Sequence, residues 1–259
     1  MKIGYGLVKL REGFWERAIK AFDKDNPEMT LSTVAKKTGM TRANARRLLL
    51  TLESIGYVEQ RNNLFTLTWK VIELGYNYFA SLPWTDLAYK NMKQVVNECK
   101  LTCSISILDG ESVVFIMRIL ANRVLNEGVH IGTRFPAAHT ATGRLFMLHM
   151  DDQELRDYIP TLSLQQYTDK SITDPEKLYE IIREQRGQNY YFISEELEDG
   201  LLALAVPIYN HNNKIIGAMS VGSHRSYKNS TYLKNAVLPM LLRAARDTSD
   251  AIKLLQHES

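Results

Sequence analysis

Residues 30–60, TLSTVAKKTGMTRANARRLLLTLESIGYVEQ, constrain the fold of this chain more tightly than any other stretch. Two short amphipathic runs lie close together, each opened by a threonine able to cap a helix. Thr30 precedes Leu31, Val34, Ala35 and Thr38 at helical spacing, and Gly39 supplies a residue that tolerates the left-handed end of a helix. Thr41 opens the second run, predicted to reach Ser54 before Gly56 stops it. A helix-turn-helix needs a small residue where its helices cross, a glycine at the turn and apolar residues on the inner face of the second helix. Ala35, Gly39, and the pair Ala45 and Leu48 fill these places in order, and Leu49, Leu52 and Ile55 extend the inner stripe.

At about 100° per residue, the opposite face of the second helix presents Ala43, Arg46, Arg47 and Leu50. Thr41, Arg42 and Asn44 stand at its N-terminal end, where such a helix meets base edges. Arginine offers a two-pronged donor for guanine or phosphate, and asparagine matches adenine. Tyr57–Thr68 then alternates as a hairpin with Arg61-Asn62-Asn63 at its tip, a wing able to follow a phosphate backbone. A solvated basic helix in an ordinary bundle would share the periodicity, but not the turn glycine, inner alanines and wing together.

Charge follows the same division. Residues 1–75 hold 13 Lys and Arg against 8 Asp and Glu, whereas the rest hold 19 against 21. A polyanionic partner is therefore expected at one end only. With 259 residues, at roughly 100–200 per domain, two domains are expected. The boundaries read as a winged helix-turn-helix over 1–69, a helical linker over 70–83 and a larger domain over 84–259.

Before the helix-turn-helix, Phe14–Phe22 has helical spacing and Asp25-Asn26-Pro27 breaks it. Lys70–Lys100 is helical with an interruption at Ser81-Leu82-Pro83. Beyond it, strands are predicted over Thr102–Leu108 and Val113–Ile119, separated by Asp109-Gly110, and over Leu202–Tyr209 and Ile215–Gly222, flanking His211-Asn212-Asn213. Helices are predicted over Thr140–Met150, Asp151–Ile159, Pro175–Arg186 and Thr231–Leu255. This mixture makes the second domain α+β.

The stretches TLSTVAKKTGMTRANARRLLLTLESIGYVE, LFTLTWKVIELGYNYFASLPW, CSISILDGESVVFIMRI, HIGTRFPAAHTATGR and EELEDGLLALAVPI resemble the IclR family of bacterial transcription regulators, over roughly residues 14–255. Residues 22–52 most resemble the subgroup controlling catabolism of protocatechuate, 4-hydroxybenzoate and related aromatic acids. The resemblance implies a winged helix, a helical linker and a GAF/PAS-like effector domain. It also implies dimers or tetramers on double-stranded operator DNA, and allows RNA polymerase as a further partner. Carried over by position, it puts the effector pocket at Ala141, Thr142, Ile193 or Ser194, Ala203, Ser220 and Gly222. His139 departs from the cysteine that many relatives carry, and the small Ala203 and Gly222 leave room for a ligand larger than a two-carbon acid. From the residues themselves, Arg134, His139, Thr140 and Thr142 gather at a predicted helix start, a place that favours an anion. A surface role for Arg134, a satisfied ring for His139 and a buried ion pair for Arg118 are the structural alternatives.

No G-x-S-x-G elbow, H-E-x-x-H site, P-loop or G-x-G-x-x-G fingerprint occurs, so neither catalysis nor a cofactor is expected. Cys99 and Cys103 have neither redox nor zinc-ribbon spacing, and the six histidines are scattered, so no metal site is predicted. Glu195-Glu196-Leu197-Glu198-Asp199 reads as a solvated loop or helix end. Two cysteines, no apolar span and no secretory h-region suit a cytoplasmic protein without a membrane segment. The sequence thus predicts a DNA-binding regulator that senses a small carboxylate. The competing reading is a winged-helix adaptor that docks a protein partner.

Overall fold

The computed structural model of the chain describes residues 4–82, 84–121 and 129–255, with side chains from Gly13 onward. Pro83 of the expected interruption and His257 lie outside the described residues. The chain divides into two compact units, residues 1–82 and 83–259.

The first unit runs α1 (Gly4–Ala21), β1 (Glu28–Thr30), α2 (Leu31–Thr38), α3 (Arg42–Ser54), β2 (Val58–Arg61), β3 (Leu64–Leu67) and α4 (Val71–Ala80). Thr30 caps α2 by accepting from the Thr33 amide, and Gly39 ends it at φ 70°. Thr41 caps α3 by accepting from the Asn44 amide. Leu49 and Leu52 are buried in a core with Ala18, Val34, Met29, Val58 and Phe65, Leu48 packs half-buried at its edge, and Ala45 is fully buried on the same helix. Ile55 departs from the expected inner stripe. It caps the helix at φ −97°, ψ 1°, and this departure from helical geometry leaves it 48% exposed.

Asn62 and Asn63, at φ 49° and 64°, make the two-residue hairpin turn, which places Arg61 on β2 rather than in the turn. Positive φ at both central residues matches the twist of the flanking strands. A third strand, β1, pairs antiparallel with β3 and was not foreseen, since three residues are too few to show an alternation. Helix α1 likewise extends well N-terminal of the expected Phe14.

The second unit runs α5 (Thr85–Cys99), β4 (Cys103–Asp109), β5 (Ser112–Ile119), β6 (Arg134–Pro136), a 3₁₀ turn (Ala137–His139), α6 (Ala141–Leu148), α7 (Asp152–Tyr158), α8 (Pro175–Glu184), β7 (Tyr191–Ser194), β8 (Leu201–Tyr209) and β9 (Ile215–His224). It closes with α9 (Ser230–Tyr232), a π-helical turn (Leu233–Val237) and α10 (Leu238–Leu255). The six strands form one antiparallel sheet in the order β6-β5-β4-β9-β8-β7. Asp109 pairs with Ser112, so the β4–β5 turn is Gly110-Glu111, one residue later than expected, with Gly110 at φ 59°.

Alternation along the strands sorts the sheet into two faces. Tyr191, Ile193, Ala203, Ala205 and Ala218 belong to the core built with α6, α7 and α8. Leu204, Val206 and Ile208, of opposite parity, are fully buried on the side of α10, which packs with α5. The short strands β6 and β7 were missed for the same reason as β1.

Candidate DNA-contact face and candidate effector site

Thr41, Arg42, Ala43, Asn44, Arg46 and Arg47 are all exposed along the first turns of α3. The guanidinium of Arg47 donates to the Asn44 side-chain oxygen at 3.1 Å, which aligns both side chains on one face. Asn62 is exposed at the wing tip, while Arg61 spends part of its charge on Glu59 at 3.0 Å. Lys70 is drawn back over the Tyr57 ring and donates to the Ile55 carbonyl at 2.8 Å. The capping threonine and the burial of Ala45 and Leu49 fix α3 so that its arginines face outward.

In the second unit, Thr140 caps α6, accepting from the Gly143 amide at 3.1 Å. Ala141 and Thr142 are buried in its first turn. Register places Ile193, Ala203 and Gly222 side by side across β7, β8 and β9. The next row on the same face is Tyr191, Ala205, Ser220 and Ser104. Small residues therefore floor the sheet where the expected pocket residues meet. Ser194 has the opposite parity and falls on the other face, with Leu202 and Ser223.

Above this floor lies a polar cluster. Arg144, 2% exposed in a helix of otherwise uncharged residues, forms an ion pair with Glu196. Its Nε donates to the Ala138 carbonyl at 2.8 Å and another nitrogen donates to the Tyr191 hydroxyl at 3.3 Å. Burial pushes the Tyr191 hydroxyl pKa up. His139 is buried beside the pair, with Nδ1 3.7 Å from Glu196 Oε2 and its ring edge-on to Tyr167, centroids 5.2 Å apart. Neither ring nitrogen has a hydrogen-bond partner. His139 is thus buried but not satisfied.

Glu195 and Glu196 are buried, not solvated as expected. Glu195, at φ 59°, accepts from Lys170 at 2.8 Å and from the Gly200 amide at 3.2 Å, with Arg225 at 3.3 Å. The Lys170 hydrogen bond holds its pKa down at about 2. Thr168 and Ser171 donate to the Glu195 and Glu196 carbonyls, each at 2.6 Å. Partners 25 and 52 residues away in sequence bury a run that looks solvent-facing by itself. Arg134 does not join the cluster, being exposed and engaged by Asp109 at 2.7 Å. Arg118 lies over the Phe115 ring, and burial lowers its pKa.

Among the described residues, no group of three His, Cys, Asp or Glu could hold a metal, and no helix is long and apolar enough to cross a membrane. Cys99 and Cys103 are free and buried, and desolvation raises both thiols. Sequence reasoning missed Arg144, Glu196, Tyr167 and Ser104. The one available signal was an arginine inside the apolar run ATGRLFML.

An outward-facing basic helix in a winged helix-turn-helix, carried on one chain with an α+β domain holding a buried polar site, defines a DNA-binding regulator with a sensing domain. The chain belongs to the IclR family of bacterial transcriptional regulators. The IclR helix-turn-helix domain matches residues 17–62, and the bacterial transcriptional regulator IclR C-terminal domain matches residues 77–250. Membership decides for DNA over the docking-adaptor reading. The chain is 31% identical over 230 residues to the Pca regulon regulatory protein of Pseudomonas putida, covering 88% of this chain and 79% of that one. Protein RHA06195 of Rhodococcus sp. RHA1 superposes with a TM-score of 0.84 at 32% identity, covering 95% and 99% of the two chains. The inducer-binding domain of the PobR transcription factor from Acinetobacter, solved as a double mutant with 3-hydroxybenzoic acid, matches with a TM-score of 0.60 at 31% identity, covering 63% of this chain and 96% of that one.

Proposed function

We propose that this regulator controls a catabolic operon in response to a small carboxylic acid, an aromatic acid or its ring-cleavage product. The observation that carries this reading is His139, whose two ring nitrogens are buried without a partner in the 3₁₀ turn just before α6. A buried polar group left unsatisfied costs about 1–3 kcal/mol, which a ligand recovers by bonding to it. Thr140, Ala141 and Thr142 flank it, and Ile193, Ala203, Ser220 and Gly222 supply the floor. Relatives that match this chain include a Pca regulon regulator and a PobR domain bound to a hydroxybenzoic acid, which supports an aromatic acid.

DNA is met by Thr41, Arg42, Ala43, Asn44, Arg46 and Arg47, with Arg61 and Asn62 on the wing. The chain acts by binding, without catalysis, as a cytoplasmic homodimer or tetramer. Residues 1–69, 70–83 and 84–259 serve as reader, connector and sensor. Mobility shift on the DNA upstream of its own gene tests the reading, with hydroxybenzoates, aliphatic dicarboxylates, a sugar and an uncharged aromatic as additions. An acid alone should alter the shift. A response confined to the sugar or the uncharged aromatic overturns it.

A further inference from the structure

Resting on the acid-effector reading, the arrangement around His139 carries one step more. Glu196 from the turn after β7 and Tyr167 from the segment before α8 face this ring, and Arg144 of α6 pairs with Glu196. Tyr191 of β7 reaches Arg144 from the sheet, and Glu195 beyond Glu196 is held by Lys170 and Arg225. Arg144 is committed to Glu196, so the buried pair is already neutral and offers no spare positive charge to an incoming anion. A carboxylate placed beside His139 would leave this desolvated cluster one negative charge in excess, which a low-dielectric site resists strongly.

Donor counting leads to the same point. Glu196 faces Nδ1, so a ligand carboxylate meets His139 through Nε2. Both neighbours are then acceptors. A neutral imidazole has one donor and one acceptor nitrogen, whereas the charged ring donates from both. Only the protonated ring bonds Glu196 and the ligand together, and only then do the charges cancel. We infer that an acid effector enters this site together with a proton taken from solvent, which His139 carries as an imidazolium bridging Glu196 and the ligand carboxylate. Sensing is therefore linked to pH at the site itself, without any distant titrating group.

Calorimetry on the full chain tests this, with 4-hydroxybenzoate and 3-hydroxybenzoate as probes in buffers of low and high ionisation enthalpy. The heats should differ by about one proton taken up per ligand, and affinity should fall about tenfold per pH unit over the range where that proton is taken up. His139→Gln, checked for a native melt, should bind more weakly with no proton uptake and little pH dependence. The amide of the same acid should bring no proton into the wild type. Acid binding with no proton uptake, or equal uptake by His139→Gln, overturns this inference and leaves the acid-effector reading standing. Equal uptake with the amide overturns the charge-balance argument. No heat with either probe, while an uncharged aromatic binds, overturns both together.

Discussion

Gly143 packs its Cα against the backbone of Ala137: a methyl group built there would stand 2.1 Å from the Ala137 carbonyl oxygen. Backbone, not a flexible side chain, fills the space, so nothing local can yield. This close approach lets α6 fold back on the 3₁₀ turn that carries His139. Gly143→Ala should therefore destabilise the chain by more than the roughly 1–3 kcal/mol usual for overpacking, although alanine is the better helix former. Urea denaturation followed by far-ultraviolet circular dichroism reads this directly. A wild-type midpoint would show that the contact relaxes freely.

Arg144 and Glu196 form a pair in which removing one partner strands the other. Arg144→Met leaves a buried carboxylate, at a cost of about 3–5 kcal/mol. The double variant Arg144→Met, Glu196→Gln removes both charges and should recover most of that loss. A double variant as unstable as the sum of its single changes would mean that packing, rather than charge, dominates the site.

The helix-turn-helix was legible in the sequence because each of its requirements is local. Caps at Thr30 and Thr41, the turn at Gly39 and the spacing of Ala45 and Leu49 all lie within a short segment, where helical periodicity speaks directly. Ile55 was misplaced because periodicity does not tell where a helix stops. The candidate effector site was only half legible. Resemblance brought Ala141, Ala203 and Gly222 forward, but Glu196 looked like part of a solvated acidic run until Arg144 met it from 52 residues away. Strands of three or four residues, β1, β6 and β7, exist only through their partners and left no pattern to read.

The exposed arginines of α3 could reach either bases or phosphates, and two substitutions tell these apart. Arg46→Ala and Arg47→Ala should each weaken operator binding by roughly 1–3 kcal/mol where the side chain reads a base, and by less where it touches phosphate alone. Fluorescence anisotropy with operator and random duplexes distinguishes the cases. Loss of preference marks base reading, and a parallel fall marks phosphate contact. Full binding by the double variant, its fold intact, would remove α3 from the interface.

Helix α4 has no buried residue, yet Ile72, Tyr76 and Tyr78 are 73%, 69% and 43% exposed, and Trp69 just before it is 74% exposed. That much apolar surface on one helix suits a second copy of the chain better than water. Sedimentation at micromolar concentration should show a dimer or larger species, and Ile72→Glu with Tyr76→Glu should shift it toward monomer. Pairing of two α3 helices on a palindromic site should weaken in step. A wild-type monomer that still binds operator tightly would contradict this.

Acid should reveal the bracing of the segment that carries Glu196. Glu195 is held at about 2 in the folded chain, first by its hydrogen bond from Lys170, against an ordinary value of 4.5. Its depressed pKa gives stability that is fully present above the unfolded value. Below about pH 4.5 the unfolded chain gains a proton that the native carboxylate refuses, so stability falls until about pH 2, where both states are protonated. Asp23 and Asp152, also lowered by basic partners, add to the same acid limb, so the informative quantity is a difference between chains. Lys170→Met removes the largest cause and should lower the melting temperature at neutral pH. The gap from wild type should narrow steadily as pH falls from about 4.5 toward 2. A gap that stays constant over that range would show that Lys170 stabilises by packing, and that the Glu195 carboxylate is held by the Gly200 amide and Arg225 alone.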